Sequence, residues 1–172
     1  MANLLIIGAG QYGLVAMEIA QAMRGFGEIA FFDDNYSAAE QPAKIPLIMG
    51  QTTDIGKFVD NFHYGFVAIG NPDVRRHLIE SLQYNRIKPA LLVHPSAYVS
   101  PSAVLKDGCC IEPNATVQVG AKIGIGSFIA SGAVIRHNAK VGDYCQVDCN
   151  AVVSSSAKVP SHTKVPCCSV FE

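Results

Sequence analysis

The hydrophobic pattern of the chain changes character near Val93. From there on every sixth residue is apolar: Val93, Val99, Leu105, Ile111, Val117, Ile123, Ile129, Ile135, Val141, Val147, Val153, Val159, Val165 and Phe171. Four residues after each of these, up to Val165, stands a small one, in a run from Ala97, Ala103 and Cys109 to Ala157, Thr163 and Ser169. A helix repeats every 3.6 residues and a strand every 2, so neither accounts for a beat of six; a parallel β-helix of hexapeptide repeats does. Three hexads make one triangular coil, each side a short strand with its aliphatic residue inward. Coils stack at about 4.8 Å, which sets each residue under the one eighteen positions later. No insertion interrupts the beat, so a site in this half must lie on a face, at a corner or between subunits.

Before Val93 the periods are those of an α/β unit. Leu4 to Ile7 reads as a buried strand, followed by a helix from about Tyr12 to Met23 with Val15, Ile19 and Ala22 on one face. Glu28 to Phe32 is a second strand. Thr52 or Thr53 can cap a short helix to about Asn61, Tyr64 to Ile69 is another buried strand, and Pro72 starts a helix that turns Ile79 and Leu82 toward the sheet. The pattern predicts two domains: a Rossmann-like α/β unit over 1–90 and an all-β parallel β-helix over 91–172, joined between Ala90 and His94.

The candidate chemistry of the first unit begins with Gly8-Ala-Gly10-Gln11-Tyr12-Gly13, a G-x-G-x-x-G turn between strand and helix. Asp33 and Asp34 follow at the end of the next strand. Glycines there let a phosphate approach backbone N–H groups at a helix N-terminus. A carboxylate at that strand end accepts hydrogen bonds from ribose hydroxyls or a base N–H. Asn71 and Arg75 follow another parallel strand, where ligands of such sheets bind, although an ordinary solvated arginine fits the sequence equally well. A complete dinucleotide site needs two mononucleotide halves and this unit has room for little more than one, so a mononucleotide such as UDP fits better than NAD.

Composition narrows the partners. With 49% hydrophobic and 16% charged residues and a net charge of -1, the chain lacks the basic excess of a nucleic-acid binder. Leu4 to Ile7 is too short to span a membrane, no signal peptide is expected, and the cytoplasm is the expected location. The six cysteines fall on hexad positions, Cys109 and Cys145 in the small-residue column and Cys110, Cys149, Cys167 and Cys168 at turns, without zinc-ligand spacing. Cys149 and Cys167 should stack at a distance compatible with a disulfide, but buried free thiols are the expectation.

His137 stands two residues after Ile135, so its ring should leave the core at a corner of the coil, with Val119 below and Ser155 above. On spacing alone it reads either as a general base or as a surface histidine in a subunit contact.

Taken in order, Gly8-Ala-Gly-x-x-Gly-Leu-Val, Phe32-Asp-Asp34, Ala68-Ile-Gly-Asn71 with Arg75, His94-Pro-Ser-Ala and Val134-Ile-Arg-His137 resemble the PglD/NeuD family of bacterial sugar acetyltransferases. The resemblance covers essentially the whole chain. It implies a left-handed β-helix, a homotrimer with sites between subunits, acetyl-CoA as co-substrate, and a UDP-amino sugar or sialic acid as acceptor. His137 maps onto the family's catalytic histidine, with Asn138 beside it. Gly8, Gly10, Gln11, Tyr12, Gly13, Asp33, Asp34, Asn71 and Arg75 fall on the nucleotide-sugar side, and Gln146 and Ser155 on the coenzyme side. The chain departs from the family in having Asn138 where an acidic residue is typical, Tyr12 where a histidine is common, and Ser154-Ser-Ser156 where a glycine is expected. Its end also falls about two coils before the family's usual one. The expected function is direct acetyl transfer with His137 as base. The alternatives are a trimeric nucleotide-sugar-binding protein without transferase activity and a β-helix that serves only for trimerisation.

Overall fold

The computed structural model describes residues 1–35 and 48–172, which fall into two compact units, Met1–Ala90 and Leu91–Glu172. In the first, five strands form one parallel sheet in the order β3-β2-β1-β4-β5: β1 (Ala2–Ile7), β2 (Phe26–Phe32), β3 (Ile48–Gly50), β4 (Tyr64–Val67) and β5 (Lys88–Pro89). Helix α1 (Gln11–Met23) connects β1 to β2, and α2 (Pro72–Tyr84) connects β4 to β5. Leu4, Leu5 and Ile6 are fully buried, as an unbroken apolar run in a central parallel strand requires.

Two local expectations are corrected. The buried face of α1 is Gly13, Ala16, Ile19 and Ala20, while Val15 is 37% exposed. Small residues let the helix backbone close on the sheet, and a methyl group on Gly13 would be driven into the Gly8 carbonyl oxygen. The helix expected to run to Asn61 is a 3-10 turn over Thr52–Lys57 capped at Gln51, whose backbone N–H donates to Asp54 Oδ2 at 3.3 Å while its carbonyl accepts the Asp54 N–H at 2.9 Å. Helix α2 starts as its sequence demands. Pro72 occupies the first turn and Asn71 Oδ1 accepts the Asp73 and Val74 N–H groups at 3.0 and 3.1 Å.

The second unit is a parallel β-helix of two-residue strands stacked into three sheets. Face 1 runs from Leu92–Val93 to Lys164–Val165, face 2 from Tyr98–Val99 to Val170–Phe171, and face 3 from Val104–Leu105 to Lys158–Val159. Every ladder pairs residues eighteen apart, for example Val134↔Val152 and Lys122↔Lys140. The inward residues from Ile111 to Val165 are at most 3% exposed, each worth about 1.5–3 kcal/mol of burial.

Two further columns explain the hexad. Every sixth residue from Gly108 to Cys168 turns the corner in the left-handed region, with φ between 56° and 74°, and Asn138 belongs to this set. The small-residue column serves two purposes. At two corners it is mainly alanine; at the third, the Sγ of Cys109, Oγ of Ser127 and Sγ of Cys145 donate to the carbonyls of Gly124, Gly142 and Pro160 at 2.8, 2.8 and 3.0 Å, satisfying otherwise orphaned backbone oxygens.

The expectation for the cysteines is also corrected. Cys110 is a buried strand residue, whereas Cys149, Cys167 and Cys168 are exposed because their hexad positions point outward. Among the described residues, no helix is long and apolar enough to cross a membrane and no cluster of His, Cys, Asp or Glu is arranged to hold a metal ion.

Candidate functional site

The chemistry-bearing residues of the first unit gather at the C-terminal edge of its sheet, where β2 and β4 leave β1 on opposite sides and the strand order reverses. Gly8 has φ 101° and donates its N–H to the Phe32 carbonyl at 2.8 Å, so the loop doubles back directly off β1. A Cβ at Gly10 would meet nothing within 4 Å, which leaves the N-terminus of α1 open to a ligand phosphate. Beyond it Gln11 is exposed and Tyr12 half-buried.

Both carboxylates have structural partners. Asp33 Oδ2 accepts the Ala9 N–H at 2.7 Å and its Oδ1 the Asn35 N–H at 2.8 Å, which ties the glycine loop to the end of β2. Asp34 Oδ1 accepts the Thr52 N–H and hydroxyl at 2.7 and 2.8 Å. An ionised carboxylate offers about four lone-pair sites, so each keeps acceptor capacity for a ligand. The two line a pocket of about 150 Å³ together with Gly8, Thr52, Ile69 and Val74. Its apolar wall suits a flat ring, and its acidic rim suits hydroxyl or N–H donors.

Arg75 and Asn71 are placed differently. Arg75 is 1% exposed, and its guanidinium donates to the carbonyls of Ile69 and Gly70 at 2.6 and 2.9 Å. It holds the β4–α2 connection in shape from within. Asn71 Oδ1 is occupied in capping α2.

In the second unit His137 occupies the turn between face 2 (Val134–Ile135) and face 3 (Lys140–Val141). Its backbone is held from both sides: its N–H donates to Gln118 Oε1 at 3.1 Å, and its carbonyl accepts the Ser156 N–H at 3.1 Å. Among the described residues the half-buried ring has one hydrogen-bond contact, Nδ1 to Ser155 Oγ at 3.3 Å. Asn138, with φ 58°, sets its side-chain oxygen against Gly120. Gln146 lies on face 1, where its amide donates to Asp148 Oδ1 at 2.7 Å and Asp148 pairs with Lys164 at 3.2 Å. Within one chain it therefore shares no corner with His137.

Sequence reasoning missed Thr52, Ile69 and Val74 as pocket walls and Gln118 as a clamp. Thr52 has the composition of a helix cap, and only the return of β3 beside β2 carries it to Asp34. Gln118 could have been found: it is nineteen residues before His137, as Glu112 is before Ser131, and both pairs make the same side-chain-to-backbone bond.

Residues 3–82 match the family described as the PglD N-terminal domain. Over 115 residues the chain is 31% identical to the UDP-N-acetylbacillosamine N-acetyltransferase of Bacillus subtilis (strain 168); the aligned stretch covers 63% of this chain and 50% of that protein, so the chain spans about half the length of this relative. Among solved structures, the acetyltransferase domain of PglB from Neisseria gonorrhoeae FA1090 superposes with a TM-score of 0.84 at 25% identity, over 100% of this chain and 92% of that one. The same domain in complex with acetyl coenzyme A gives 0.70 at 27% identity, over 95% of each chain.

Proposed function

We propose, from the match of residues 3–82 to the PglD N-terminal domain family, that this chain transfers the acetyl group of acetyl-CoA to an amino sugar carried on a nucleotide of the UDP type. The observation that carries the reading is the presence, in one chain, of a pocket at the C-terminal edge of a parallel sheet rimmed by Asp33 and Asp34 and a β-helix corner bearing His137. The Bacillus subtilis relative, named for a UDP-linked amino sugar, favours that acceptor over a sialic acid. The gonococcal domain in complex with acetyl coenzyme A supports the donor.

In this reading the first unit is a Rossmann-like nucleotide-sugar domain. The Gly8–Gly13 loop and the α1 N-terminus, with Gln11 and Tyr12 at its mouth, take the phosphates; Asp33 and Asp34 take ribose or base donors; and Asn71 and Arg75 shape the wall. The second unit is a left-handed coil. His137 Nε2 removes the proton of the sugar amine as nitrogen attacks the thioester carbonyl. The N–C bond forms and the C–S bond breaks, and the imidazolium returns its proton to the departing CoA sulfur. General-base assistance of this kind contributes about 10²–10⁴ in rate.

The working assembly is a homotrimer in the cytoplasm. Face 2 presents Tyr98, Thr116, Val134, Val152 and Val170 outward, with Tyr98 58% and Val170 61% exposed, whereas face 3 presents a ladder of exposed lysines, Lys122, Lys140 and Lys158. An apolar ladder can be buried against a second copy, and stacked lysines cannot without repulsion. Trimer contact through face 2 would let Gln146 of one copy approach the coenzyme beside His137 of another. Isothermal calorimetry with a UDP-amino sugar and with acetyl-CoA, run separately, tests the reading. Binding of both supports the transferase. Binding of the nucleotide sugar alone supports the alternative, a nucleotide-sugar-binding protein without transferase activity.

A further inference from the structure

We infer that Ser155 is the positioning residue of His137, fixing which ring nitrogen carries the proton; the inference rests on the proposed role of His137 as base. The imidazole is attached to a backbone that cannot turn, because Gln118 holds the His137 N–H from the coil before and the Ser156 N–H holds its carbonyl from the coil after. What remains free is the ring itself. Among the described residues its one hydrogen-bond contact is Nδ1 with Ser155 Oγ, at 3.3 Å.

The neighbours leave this role to Ser155. Asn138 is committed to the left-handed corner position, with its side-chain oxygen over Gly120. Val119, which holds the same corner position one coil earlier, is apolar and offers the ring no partner. Ser155, which holds it one coil later, is half-buried, and among the described residues His137 is its side-chain hydrogen-bond partner.

A hydroxyl can accept from Nδ1–H or donate to a bare Nδ1, and the two choices have opposite consequences at the other nitrogen. If Ser155 donates, Nε2 carries the hydrogen and cannot take a proton from a substrate amine. If Ser155 accepts, the Nε2 lone pair is free. When Nε2 is then protonated, both ring nitrogens become donors, and a hydroxyl that already accepts from Nδ1 keeps its bond unchanged. Only the accepting arrangement persists through proton uptake and return without the hydroxyl rotating. The assignment is therefore Nδ1–H donating to Ser155 Oγ, with Nε2 as the base.

The test reads the proton directly. The ¹⁵N resonances of the His137 ring, assigned by their loss in His137→Ala, should show Nδ1–H in the parent protein at a pH where the ring is neutral. They should shift toward Nε2–H in Ser155→Ala and return to Nδ1–H in Ser155→Thr, which restores the hydroxyl. Acetyl transfer in Ser155→Ala should fall about ten-fold in kcat, a fraction of a full general-base contribution, with KM for the nucleotide sugar unchanged. An Nε2–H ring in the parent protein, or a Ser155→Ala protein whose ring keeps its tautomer, overturns the assignment. If the tautomer responds as described but the parent protein transfers no acetyl group, the Ser155 contact stands and the transferase reading falls.

Discussion

The two halves of the chain use their polar residues in opposite ways. In the α/β unit each has a separate local role. Asp33 ties down the glycine loop, Asp34 ties down Thr52, Asn71 caps a helix, and Arg75 fills the underside of a turn. In the β-helix the same few roles recur at fixed spacing, so a residue's place in its hexad decides its surroundings. Corner residues from Gly108 to Cys168 all take the left-handed conformation, whatever their type. A site built from single-purpose contacts is sensitive to the loss of any one of them. A site on a repetitive coil inherits its backbone from the scaffold and depends on the side chains set at outward corner positions, as the proposed site does on His137 with Ser155.

Substitutions that strike one half and spare the other break this comparison most cleanly. The largest expected effect is that of Gly13→Ala, which pushes a methyl group into the Gly8 carbonyl oxygen. It should cost about 3 kcal/mol, the upper end of overpacking penalties. Because the described helices lie only in the first unit, the helical circular-dichroism signal should be lost at lower denaturant, while a β-helix core probe such as protection of the buried Cys109 thiol is unchanged. Equal loss in both halves would show that they fold as one.

A smaller effect sharpens the picture of the pocket. Replacing Asp33 and Asp34 together by alanine should weaken calorimetric UDP binding roughly ten- to a hundredfold, the scale of losing charge-assisted hydrogen bonds. Unchanged affinity would assign both carboxylates wholly to loop tethering.

The fold was legible in the sequence to different degrees for the same reason. A six-residue beat unbroken over fourteen hexads admits one architecture, so the strand register and the corner position of His137 followed from counting. The start of α2 followed from Asn71 and Pro72. The exposed Val15 did not, because close helix–sheet approach depends on Gly13 rather than on apolar periodicity. Nor did the hydrogen bonds already held by Asp33 and Asp34, or the burial of Arg75, which depend on loops meeting in three dimensions. At His137 the eighteen-residue column already set Ser155 above the ring, and what counting could not supply is the contact itself, Ser155 Oγ to Nδ1 at 3.3 Å.

The smallest effect concerns the β-helix core in alkali. Burial pushes the Cys109 thiol from its ordinary value of 9.0 up to about 12. The unfolded thiol ionises first, so the stability tied to keeping Cys109 neutral is complete below pH 9 and is lost as the pH rises toward 12. Between about pH 8 and pH 10 denaturant titration should show a loss of about 1.4 kcal/mol from this group, and Cys109→Ala should flatten that slope. A slope unchanged in Cys109→Ala would place the alkaline sensitivity elsewhere.

Acetyl transfer at the β-helix corner, with His137 as base, is the central claim. Mass spectrometry of a UDP-amino sugar incubated with acetyl-CoA and the protein measures it most directly. The expected result is a product heavier by one acetyl group, formed about 10²–10⁴ times more slowly by His137→Ala while calorimetric binding of both substrates is retained. Transfer by His137→Ala at the parent rate, or no product from a parent protein that binds both substrates, would contradict it.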